Sequence, residues 1–227
     1  MRKFTSDQTP FLVNQDMGLH RPYHLAIGMM VISEYALVEA YTSLLLNALA
    51  KGDPEAAGAI YGEIRQGQVQ GKALRAVAKA VLSPEDAGLL NDILKIAKKA
   101  SDIRDALAHR LWMYDKTLPL DVVLVDPALV WKSDLATKKL GGPGPVPIEG
   151  ARQLQQMMRD AGQLWSRGEL EEARKICVRS STGLLAFRLM HTSAAGSAEH
   201  AQHRKTLLTV IEQQKTADKP KPPPADP

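Results

Sequence analysis

Apolar residues recur at Ile27, Val31, Val38, Tyr41, Leu45 and Ala48, spaced by three, four or their sum, which predicts one long amphipathic helix from about His24 to Ala50. At 1.5 Å per residue such a helix extends roughly 40 Å. Residues 1 to 22 are of mixed polarity and end in His20-Arg21-Pro22, where the proline disfavours continuous helix, so they read as an arm. Gly52-Asp53-Pro54-Glu55 supplies a stop, an N-cap and a first-turn proline, and a second helix is expected from Pro54. Glycines at 58, 62, 67 and 71 weaken it; a break is expected near Gly67 to Gly71, with a further helical piece from Lys72 to Val81. Ser83-Pro84-Glu85-Asp86 repeats the start signal. Leu90, Ile93, Ile96, Ala97, Ala100, Ile103, Leu107 and Leu111 then form the apolar face of the best-defined element in the chain.

The pattern changes after Leu118. Val122-Val123-Leu124-Val125 and Leu129-Val130-Trp131 are short β-type runs around Asp126-Pro127-Ala128, and they predict a small hairpin. Gly141 to Pro147 reads as a flexible loop that lacks the lysine and hydroxyl of a phosphate-cradling loop. Helical patterning returns over Ile148 to Trp165 and Glu169 to His191. Beyond Gly196 the chain turns polar, and Lys219-Pro220-Lys221-Pro222-Pro223-Pro224 predicts an extended tail.

The sequence therefore predicts a mainly all-α fold: an antiparallel bundle of four to five helices over residues 23–195, with a hairpin-like insertion near 113–147. An arm at 1–22 and a polar segment at 196–227 flank it. Composition agrees, because hydrophobic residues at 44% suffice for a core while aromatics at 5% are too few for an all-β protein. A net charge of +4 sits partly in the Lys-rich tail, so basicity alone does not identify a nucleic-acid binder. A single cysteine, Cys177, excludes an intramolecular disulfide and fits a reducing compartment. No apolar stretch follows Met1-Arg2-Lys3, and no run approaches the roughly 20 apolar residues that a bilayer crossing demands. These features predict a soluble, cytoplasmic protein that does not engage a membrane.

Candidate chemistry lies late in the helix that starts at Pro84. Ile103, Leu107 and Leu111 face the core, while Asn91, Lys95, Lys98, Asp102, Asp105 and His109 share the opposite face. Arg104 falls near the edge of the apolar face, about 140° from His109, so the two cannot lie side by side in one straight helix. They are expected to converge across a two-fold dimer or where the helix ends. Asp105 precedes His109 by four residues and is positioned to orient the imidazole and favour its charged form. A histidine can move a proton near neutral pH, and an arginine can hold a phosphodiester and stabilise developing negative charge. Together they suit RNA cleavage in which the 2′-hydroxyl attacks its own phosphate.

Arg104-Asp105-Ala106-Leu107-Ala108-His109 resembles the arginine, four-residue spacer, histidine motif of HEPN-domain proteins, and the polar Asp105 after the arginine fits it too. The resemblance covers Leu25 to Trp112 in organisation and the six-residue motif in sequence. It implies a bundle of four or five helices that commonly dimerises. For active members it implies a metal-independent endoribonuclease, with arginine and histidine contributed by both protomers and often a role as a toxin or in defence. The alternative is a noncatalytic HEPN-like module that binds a nucleotide or a regulatory protein.

Other residues take supporting roles. Glu34 lies on the apolar stripe between Val31 and Val38, where an ionised carboxylate needs a partner, and Arg104 is the preferred one. Lys95, Lys98 and Lys99 are candidates for guiding RNA phosphates. His191, His200 and His203 have weak metal-ligand spacing, and neither a metal nor any other cofactor is expected. Cys177 is expected to pack rather than react.

Overall fold

The computed structural model describes residues 12–13, 17–51, 59, 63, 67–115, 118, 120–129, 156 and 161–219. In chain order the elements are β1 (Leu12–Val13), α1 (Met17–His20), α2 (Pro22–Ala50), α3 (Gly67–Val81) and α4 (Pro84–His109). There follow β2 (Leu111–Asp115), β3 (Asp121–Val125), β4 (Gln163–Ser166), α5 (Arg167–Thr192) and α6 (Ala198–Ala217). The fold is mainly helical with a small antiparallel sheet. It divides into two compact units, one of Met1–Ile32 with Asp102–Arg174 and the other of Ser33–Ser101 with Lys175–Pro227.

The second unit is a helical bundle. The stripe read from the sequence supplies its core, where Leu45, Leu90 and Ile93 meet Leu74, Leu184, Phe187 and Leu207. Burial of each such side chain contributes about 1.5 to 3 kcal/mol. Ser83 caps α4 as its sequence signal predicts: its Oγ accepts from the Asp86 backbone N–H at 3.1 Å and donates to Asp86 Oδ2 at 3.0 Å. Gly183 permits close helix packing, because a Cβ there would come 2.5 Å from Ile93 Cδ1.

Two features of this unit depart from the pattern reading. The helical piece expected from Lys72 begins at Gly67 and runs unbroken through Gly71; the residues just before it lie outside the described ones. Gly71 inside the helix costs roughly 1 kcal/mol, which burial of Leu74 and Ala78 in the core offsets. The polar stretch after Gly196 holds a helix of 20 residues, capped by Ser197 and buried along Leu207, Val210, Ile211 and Gln214. That is a stripe spaced three, four and seven residues apart inside a hydrophilic composition. The Pro-rich end expected to be extended lies outside the described residues, as do the loop at Gly141 to Pro147 and the helix start at Pro54.

The first unit is organised by the sheet, whose strand order is β1-β2-β3-β4 with every neighbouring pair antiparallel. β3 is buried along its whole length, and Val123 and Val125 pack with Leu164, Met113 and Leu129. The predicted hairpin is therefore corrected. β3 pairs with β2 on one side, Trp112 opposite Leu124, and with β4 on the other, Val123 opposite Leu164, while Leu129 is helical and Val130-Trp131 lie outside the described residues. Trp165, expected at the end of a helix, lies in β4. Leu12 and Val13 of the expected arm add an edge pair to β2.

Arg21 ties the start of α2 to the sheet. Its Nε donates to Asp121 O at 3.2 Å, its Nη2 donates to Leu118 O at 3.1 Å, and the guanidinium lies 5.2 Å from the centre of the Tyr114 ring. The His24 ring nitrogen contacts Leu120 O at 3.0 Å. By length and composition alone α2 is long and apolar enough to cross a membrane, although Glu34 and Glu39 stand within it.

Candidate functional site

α4 ends where its chemistry begins. His109 is its last residue, Arg110 is a bend, and Leu111 opens β2. The Trp112 indole turns back on this end and donates from Nε1 to Leu107 O at 2.8 Å, satisfying one of the carbonyls that every helix C-terminus leaves unpaired.

That ending brings together the two residues that a straight helix would separate. Arg104 Nη1 lies 3.4 Å from His109 Nε2 and donates at 3.0 Å to Asp105 Oδ1. A guanidinium can only donate, so a hydrogen bond here requires Nε2 to be the accepting nitrogen. At 3.4 Å the contact is at the long end of hydrogen bonding. Of the two routes to convergence read from the sequence, the helix end is the one seen, and it operates within a single chain. Asp105 differs from its expected part, since its carboxylate holds Arg104 rather than the imidazole.

Beside this pair is a surface pocket of ≈ 390 Å³, lined by Asp102, Asp105, His109, Arg110, Asp126 and Pro127 among others. Asp126 and Pro127 come from the turn after β3, where Asp126 Oδ1 accepts from the Ala128 backbone N–H at 2.8 Å. In sequence, Asp126-Pro127 reads as the turn of a hairpin. The signal that could have placed it was the aspartate before a proline, an N-cap and first-turn pair like those at Ser83-Pro84. Three carboxylates give the pocket an acceptor-rich wall, and Arg110 joins the basic groups there.

The remaining predicted residues lie in the second unit. Lys95 is paired with Asp92 at 2.8 Å and Lys99 with Asp218 at 2.5 Å, while Lys98 is exposed. The hydrogen bond from Lys99 holds the Asp218 carboxyl below the usual carboxylate range. These pairings reduce the positive charge that Lys95 and Lys99 present to a phosphate. Glu34 is half-buried. Cys177 is fully buried, and burial, followed by the Glu34 charge, pushes its thiol up to about 12, which suits packing and not nucleophilic chemistry. Among the described residues no group of three metal-ligating side chains converges.

The chain matches no family model, no curated protein and no solved structure.

Proposed function

We propose that this chain is a HEPN-like endoribonuclease that cleaves RNA by attack of a 2′-hydroxyl on the adjacent phosphate without needing a metal ion. The observation that carries the reading is the contact of Arg104 with His109 at the edge of an open pocket. As general base, the His109 imidazole takes the 2′-hydroxyl proton, and in its charged form it returns one to the departing 5′-oxygen. The Arg104 guanidinium, drawn from Nε2 to the phosphate, stabilises the charge that builds on the non-bridging oxygens. Asp105 limits the conformations of the guanidinium before RNA arrives.

A specific observation favours the runner-up, a noncatalytic binding module. Asp102, Asp105 and Asp126 line the pocket, and carboxylates so placed oppose a phosphate unless the local cations outweigh them. The discriminating experiment incubates the wild-type protein, Arg104→Ala and His109→Ala with several RNAs in the presence of a chelator and looks for 2′,3′-cyclic phosphate ends. Cleavage by the wild type that both substitutions abolish supports the enzyme. RNA left intact by the folded wild-type protein favours the module, and cleavage unchanged in folded His109→Ala removes the assigned roles.

A further inference from the structure

The pocket beside Arg104 and His109 draws its side chains from two parts of the fold. α4 lines it with Asp102, Asp105, Ala106 and His109, and the turn after β3 adds Asp126 and Pro127. All of these residues belong to the first compact unit. At ≈ 390 Å³ the space has the size of a small-molecule site. Because His109 is part of its wall, a nucleotide in the pocket would bring its own ribose to the imidazole.

The polar chemistry of the α4 and turn carboxylates is one-sided. An ionised carboxylate accepts hydrogen bonds and donates none, so Asp102, Asp105 and Asp126 offer acceptors alone. Asp105 already holds the Arg104 guanidinium at 3.0 Å. Asp126 is held by backbone instead: its Oδ1 accepts from the Ala128 N–H at 2.8 Å, as a cap does. That bond restrains the carboxylate and leaves both of its oxygens able to accept again.

We propose, on the basis of the RNA cleavage put forward above, that this pocket seats a guanine base and that Asp126 is the residue that selects it. The 2′-hydroxyl and phosphate of the same nucleotide then meet His109 and Arg104, and RNA is cut on the 3′ side of guanosine. The edges of the four bases decide among them. Along its Watson–Crick edge guanine presents two adjacent donors, N1–H and the N2 amino group, which match the two oxygens of one carboxylate. Adenine and cytosine set a single amino group beside a ring nitrogen that only accepts. Uracil flanks its one N–H with two carbonyl oxygens, so lone pairs would face lone pairs. Unstacked bases of single-stranded RNA are read on this edge, and Ala106 and Pro127 give the pocket apolar surface for the face of the ring.

This assignment removes the conflict between the carboxylates and a phosphodiester. Donor hydrogens of the base, not phosphate oxygens, meet Asp126, while the phosphate goes to the guanidinium. A metal ion is a poorer occupant, since among the described residues no group of three ligating side chains converges. A cationic ligand such as a polyamine would be repelled by Arg110 in the same pocket.

Calorimetric titration of the full chain with the 3′-monophosphates of guanosine, adenosine, cytidine, uridine and inosine tests the base site. Guanosine should bind roughly 10 to 100-fold more tightly than the other three standard nucleotides, the discrimination of one bidentate pair. Inosine lacks only the N2 amino group and should lose roughly 10-fold or more. Asp126→Asn keeps a side chain that can cap the turn but sets an amide NH2 against the base donors. Guanosine should then fall to the level of the others, which should move less than about 2-fold. A role confined to folding would weaken all nucleotides alike. In a second arm, the ends that the wild type leaves on an RNA of mixed sequence should be guanosine 2′,3′-cyclic phosphates. Equal affinity for the standard nucleotides, uniform weakening by Asp126→Asn, or a guanine preference untouched by it would overturn the proposal. Cleavage after every nucleotide without preference would overturn it and leave the ribonuclease reading in place. Guanine-selective binding that Asp126→Asn abolishes, with RNA left intact by the wild type, would uphold the base site and overturn the ribonuclease reading instead.

Discussion

The indole of Trp112 lies in the space left by the missing side chain of Gly28: a methyl group on Gly28 would come 2.7 Å from Trp112 Cζ2 and closer still to Cη2. The ring that seals the end of α4 is thus seated on α2. Gly28→Ala should destabilise the protein by about 1 to 3 kcal/mol through overpacking, against a helix-propensity gain of about 1 kcal/mol. Urea denaturation checks the sign, and a midpoint equal to or above that of the wild type would refute the seating.

For the proposed RNA chemistry the two key residues fail differently. Arg104→Ala should lower the cleavage rate roughly 100 to 1,000-fold, the usual loss for one oxyanion donor. His109→Ala removes proton transfer and should cost roughly 100 to 10,000-fold. Arg104→Lys keeps the charge without the planar fork and should recover only part of the loss. Single-turnover rates on one RNA separate these effects from binding, and full activity in Arg104→Lys would reduce the role of the arginine to charge alone.

Acid should weaken the bundle through His191. Its Nε2 is buried without a hydrogen-bond partner among the described residues, and its ring centre lies 4.6 Å from that of Phe187. Burial holds the imidazole below the usual histidine range, opposed by the Asp86 carboxylate and reinforced by the neighbouring His200. The folded state then binds its proton at lower pH than the unfolded chain does. Stability should accordingly fall as pH drops below about 6.5 and level off once it is below the folded value. His191→Phe should flatten this part of the curve between neutral pH and pH about 5. Urea midpoints at the two pH values measure it, and an unchanged difference would assign the acid sensitivity to another group.

Ser83→Ala should cost about 0.5 to 2 kcal/mol by leaving the first turn of α4 without its cap. Thermal unfolding provides the check. A loss well below this range would mean that Arg204, which reaches both Glu85 and Asp86, already fixes that turn.

Much of this architecture was legible because its signals are local. Ser83-Pro84 starts α4 by chemistry within a few residues, and Val31, Val38 and Leu45 mark a buried stripe whatever they pack against. Strand β2 was not legible. Leu111 continues the stripe of Leu107 at helical spacing, so periodicity cannot see that the helix stops at His109, a stop that coincides with strand pairing to distant residues. β4 is only four residues long, and Leu164-Trp165 reads equally well in either conformation. The Arg104 to His109 motif was found by spacing, whereas its intramolecular contact depended on that unseen helix end.

One residue, Arg110, separates the last helical residue, His109, from the first strand residue, Leu111. A joint that short has no slack, so the heading of the imidazole is inherited from the strand behind it. If β2 slipped by one position against β3, Met113 and Tyr114 would exchange faces of the sheet, and the peptide carrying His109 would turn with them. Alignment of the proposed catalytic pair is therefore a matter of strand register as much as of helix geometry. An insertion at Arg110 would therefore misaim the histidine as surely as a slip of the strand.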